Sequence, residues 1–102
     1  MENKNIDDQA STAENIQLVK GKFTPSQASE IMIALLDQKI NYHKIEAIQL
    51  WEKDHKIDQE PINKRIKELE EEKKVAAKFI SKMKAEGKKI EIHGILKMTS
   101  TD

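Results

Sequence analysis

Ile62, Ile66, Leu69, Lys73, Ala76, Ile80 and Met83 follow one another at alternating spacings of four and three residues. This is the a/d spacing of about three heptads, with a single lysine set among apolar side chains. So narrow an apolar seam has to lie against another helix, which makes this segment half of a helix pair. Lys73 is expected to snorkel out of the seam beside Glu70 or Glu72, keeping its stem packed and its ammonium wet; the alternative is a buried polar residue that fixes register or oligomer number.

The partner helix begins at a well-marked point. In Phe23-Thr24-Pro25-Ser26-Gln27, Thr24 suits the N-cap, Pro25 the first helical position and Gln27 the far side of a capping box. No glycine or proline follows before residue 61, and the expected span is 25–54. Residues 55–58 read as a turn. Asp58 is placed as the N-cap of a second helix over 59–86, with Ile57 and Ile62 as its hydrophobic staple and Pro61 in its first turn. Gly87 is the expected left-handed stop.

The flanks are harder to place. Residues 1–20 are small and polar, and before Lys20 they carry Lys4 against Glu2, Asp7, Asp8 and Glu14, a net of −3. They read as a disordered acidic tail that buries too little to offset its ordering entropy. At the other end, Lys89-Ile90-Glu91-Ile92-His93 alternates polar and apolar side chains, as a half-buried strand does. A lone strand is unstable in water, so this one is expected to pair with a copy of itself or with another chain. The organisation read from sequence is thus a tail over 1–20, a helical hairpin over 21–87, and a strand with a C-terminal tail over 88–102. The fold class is all-α: an antiparallel two-helix hairpin, coiled-coil-like, with one short appended strand.

The first helix is apolar over too wide an arc for one partner. Ile31, Met32, Leu35 and Tyr42 form one stripe, Ile33, Leu36, Ile40, Ala47 and Trp51 another, and Leu50 lies between them. Together they cover roughly 200° at 100° per residue. An exposed face of that size is rare in soluble monomers. Self-association through these ten residues, giving a homodimeric four-helix bundle, is the expected solution. The second helix then sits outside.

Chemistry has little purchase here. The chain contains no cysteine, which excludes disulfides and thiolate metal sites. His43, His55 and His93 lack the spacing of a helical metal pair. The serines have no glycine elbow, and three glycines form no phosphate-cradling loop. The expectation is a non-catalytic protein with no cofactor, no metal and no small-molecule substrate. No motif matches a known family closely enough to carry residues over.

Charge is the remaining signal. The chain as a whole is neutral, yet from Lys73 to Lys97 eight lysines face Glu86 and Glu91 alone, a net of +6. Lys74, Lys78, Lys82, Lys88 and Lys89 form a ridge that is either a solvated face, countered by Glu30 and Asp37 of a neighbouring first helix, or a surface for phosphates or an acidic partner. A single arginine, Arg65, and few aromatics among the lysines argue against nucleic acid. No apolar run approaches the roughly 18 residues of a membrane span, and the first residues lack a signal-peptide layout. The expectation is therefore a cytoplasmic assembly or adaptor module. Its tail or C-terminal strand is open to a protein partner, the strand by adding to a sheet edge. Phosphate binding along the lysine ridge, in a nucleic-acid-associated or regulatory protein, is the alternative.

Overall fold

The computed structural model describes residues 12–101. Four elements follow in order: β1 (Ala13–Phe23), α1 (Pro25–Lys53), α2 (Glu60–Ala85) and β2 (Ile90–Thr99). The strands pair with each other in a two-stranded antiparallel sheet, in which the Ser100 amide donates to the Thr12 carbonyl at 2.7 Å. The chain divides into a helical unit, Phe23–Ile90, and a ribbon formed by residues 12–22 and 91–101.

The all-α expectation is therefore wrong. Residues 13–20, expected as disordered tail, belong to β1, while residues 1–11 lie outside the described residues. The C-terminal strand does need a partner, as the instability of a single strand requires. That partner is β1 of the same chain, so neither a second copy nor a foreign sheet edge is needed. The signal in β1 was obscured because its alternation changes parity midway. Ile16 and Leu18 fall on one face, whereas Val19 and Phe23 fall on the other.

The helical unit follows its local chemistry closely. Thr24 Oγ1 accepts from the Gln27 amide at 3.2 Å, and Gln27 Oε1 accepts from the Thr24 amide at 3.0 Å. This reciprocal box satisfies two amides that the first turn leaves without helical partners. At the far end of α1, Asp54 Oδ1 takes the Lys56 amide and the Asp54 carbonyl takes the Ile57 amide, turning the chain out of the helix. Asp58 Oδ1 accepts the Glu60 amide at 2.9 Å, although α2 starts one residue later than expected, with Gln59 as its N-cap. Gln59 Nε2 reaches back to the Ala47 carbonyl at 2.9 Å and ties the turn to α1.

Gly87 closes α2 with φ +68°. The Lys88 amide bonds the Met83 carbonyl, and the Gly87 amide bonds the Lys84 carbonyl. These are the two hydrogen bonds of a Schellman motif, whose left-handed residue favours glycine.

The short turn makes the two helices antiparallel, and they pack along each other. Ala28, Ile40, Leu69, Ile80 and Ile90 are the buried apolar residues of this unit. In α2 the seven seam positions are the residues not fully exposed; Leu69 and Ile80 are buried and the other five half-buried.

Candidate interaction surface

The ten residues of α1 expected at a dimer contact are divided by the hairpin itself. Ile40 is buried, and Ile31, Met32, Ile33, Leu36, Ala47 and Leu50 are half-buried, within a single chain. Ile33, Leu36, Ile40, Ala47 and Leu50, together with His43, repeat at spacings of three and four. That is the seam α1 turns toward α2. Leu35, Tyr42 and Trp51 are exposed. Trp51 stacks on His55 in the turn, ring centroids 4.0 Å apart.

A second four-three stripe runs along α1 beside the first: Ile31, Leu35, Gln38, Tyr42, Ile45 and Gln49. Leu35 is 39% exposed, Tyr42 57% and Ile45 48%. Ile45 lies outside the ten residues expected at the contact, because arc width groups apolar residues without separating a second heptad register. Ile48, on the other flank of α1, and Val75 and Phe79 of α2 were missed as well; all three are exposed.

The Asp37–Lys73 ion pair bridges the helices and puts these two positions at about the same level. Lys73 Nζ lies 2.6 Å from Asp37 Oδ1, so the seam lysine pairs across the hairpin rather than with Glu70 or Glu72. Nor is Asp37 of a neighbouring chain needed as a counter-charge. Stepping back along α1 and forward along α2 from this pair puts Leu35 level with Val75 and Ile31 level with Phe79. At about 100° per residue, these four side chains lie roughly 80–150° to one side of their own helix's seam. In antiparallel helices those displacements turn to the same hairpin face, opposite the one carrying the Asp37–Lys73 pair. One face of the helical unit thus presents Ile31 and Leu35 beside Val75 and Phe79, and Tyr42 extends it.

The polar candidates are dispersed. His43 Nδ1 and Glu46 Oε1 share a hydrogen bond of 3.0 Å, while His43 Nε2 is buried without a partner. His93 lies exposed in β2. Among the described residues, no group of three or more His, Asp or Glu side chains is arranged to hold a metal ion. Lys74, Lys78, Lys82, Lys88 and Lys89 are all exposed; Lys74 lies 3.8 Å from Glu71 and Lys88 3.1 Å from Glu86. Among the described residues, no helix is long and apolar enough to cross a membrane.

No protein-family model matches the chain, and neither does any curated protein or solved structure.

Proposed function

We propose that this is a small non-catalytic assembly module of the cytoplasm that self-associates through its first helix. The observation supporting this reading is the second stripe of α1, where Leu35, Tyr42 and Ile45 stay exposed after α2 has covered the first. Among the described residues five apolar side chains are buried while twelve large ones are exposed, seven on the helices and five on the ribbon. A chain that leaves this much apolar surface in water gains from covering it, at about 25 cal/mol for each Å² removed. The first stripe belongs to the hairpin and the second to a partner. Because β2 is already paired with β1, the helical face is a better docking surface than the C-terminal strand.

Light scattering on a sizing column tests the reading. A mass near twice 11.7 kDa at high micromolar concentration is expected, and a monomer at every concentration contradicts it. A second reading, anion binding along the lysine ridge, is favoured by Lys78, Lys82 and Lys89, which are exposed and take part in none of the ion pairs among the described residues. Binding of duplex DNA or RNA that falls steeply with salt supports this second reading. No binding at low salt removes it.

A further inference from the structure

Resting on the self-association reading, we infer that the partner is a second copy seated on the Ile31–Leu35–Val75–Phe79 face, with its two-fold axis parallel to the helices. Such an axis stacks α1 of each copy on α2 of the other and leaves no freedom to slide, so residues level within one chain are also level across the dimer.

The pairs this creates are complementary along the face. Leu35 meets the partner's Val75 and Ile31 meets the partner's Phe79, apolar on apolar. Lys39, whose ammonium lies 5.3 Å from the Tyr42 ring centroid, comes beside the partner's Glu72. Glu46 falls level with the partner's Lys64. Neither Glu72 nor Lys64 belongs to an ion pair among the described residues.

The other face-to-face two-fold runs across the helices. To overlap both helices along their length its axis must cross near Ile40 and Glu70; it then stacks α1 on α1 and α2 on α2, bringing the Glu68 and Glu72 carboxylates of the two copies together and setting Val75 and Phe79 against the polar start of α2. Like charges brought together cost free energy where opposite ones gain it. Among two-folds that overlap the hairpins along their full length, the face therefore selects the parallel axis. In this arrangement α2 shares the contact; the wide arc of α1 alone had suggested that it sits outside.

The chain's lack of cysteine makes oxidative cross-linking a clean test. Two full-length variants, Leu35→Cys and Val75→Cys, are mixed, equilibrated and oxidised. Both positions are exposed, so either variant folds. The mixture is expected to give covalent heterodimer in at least tenfold excess over either variant alone. In this arrangement the two Leu35 positions lie about 13 Å apart, across the diagonal of a bundle with helices 8–10 Å apart. A disulfide requires Cα atoms within about 7 Å. If the wild-type chain is dimeric by light scattering but the mixture does not cross-link, the arrangement is wrong and self-association survives. Preferential cross-linking of Leu35→Cys with Ile45→Cys likewise overturns it in favour of α1 on α1. A monomeric wild-type chain overturns both.

Discussion

Lys73 shows how a polar residue is held in an apolar seam. Its side chain is 38% exposed and meets an Asp37 carboxylate that is 52% exposed, so solvent screens the pair and limits its worth to about 1 kcal/mol or less. Asp37→Ala is therefore expected to lower the thermal midpoint by only a few degrees. Lys73→Leu should raise it, because the seam then becomes apolar throughout and Asp37 stays hydrated. Differential scanning calorimetry of the two variants decides this; a fall in midpoint for Lys73→Leu would mean that the ion pair outweighs seam packing. His43 is the other polar residue in the first seam, and its Nε2 is buried without a partner. Leaving a buried group unsatisfied costs about 1–3 kcal/mol. His43→Leu should stabilise the fold by about 1 kcal/mol in urea titration, even though Glu46 loses its hydrogen bond. Gly87 and Gly94 predict opposite signs. A side chain at Gly87 faces φ +68°, and Gly87→Ala should cost about 1 kcal/mol. Gly94 carries no such constraint, and a Cβ there meets nothing within 4 Å. Gly94→Thr should stabilise the strand pair.

Among the elements, the helices could be read from sequence and the ribbon could not. Caps and stops are local chemistry, so Thr24, Gln27 and Gly87 announced the helix ends within a residue or two. The α2 seam is likewise a one-dimensional signal, and the hairpin covers the residues it names. Strand pairing is non-local: β1 and β2 lie at opposite ends of the described chain, and nothing in either segment names the other. The parity change between Leu18 and Val19 further weakened the period-two signal. On α1 the difficulty was overlap. Two heptad registers share one helix, and arc width alone could not say which residues α2 would take. A truncation series separates them. Leu69→Ala, which opens a cavity at a buried seam position, should cost about 2–4 kcal/mol in urea unfolding. Phe79→Ala on the exposed face should barely change the unfolding of a dilute, dissociated sample. Equal effects from the two would mean that both side chains belong to one core.

At the scale of the whole molecule, the helical unit is a two-helix layer with one face more apolar than a lone chain needs. In the proposed assembly, two copies stacked on that face form a four-helix bundle in which α1 and α2 of each copy both make contact. Sedimentation equilibrium of the wild-type chain beside Leu35→Glu tests this most directly. Leu35 is already 39% exposed, so a carboxylate there leaves the hairpin folded but would be buried against the partner's apolar face in a dimer. The wild-type chain should sediment near twice 11.7 kDa. The variant should sediment near 11.7 kDa with unchanged helical circular dichroism. A wild-type chain of monomer mass, or a variant that remains dimeric, would contradict the account.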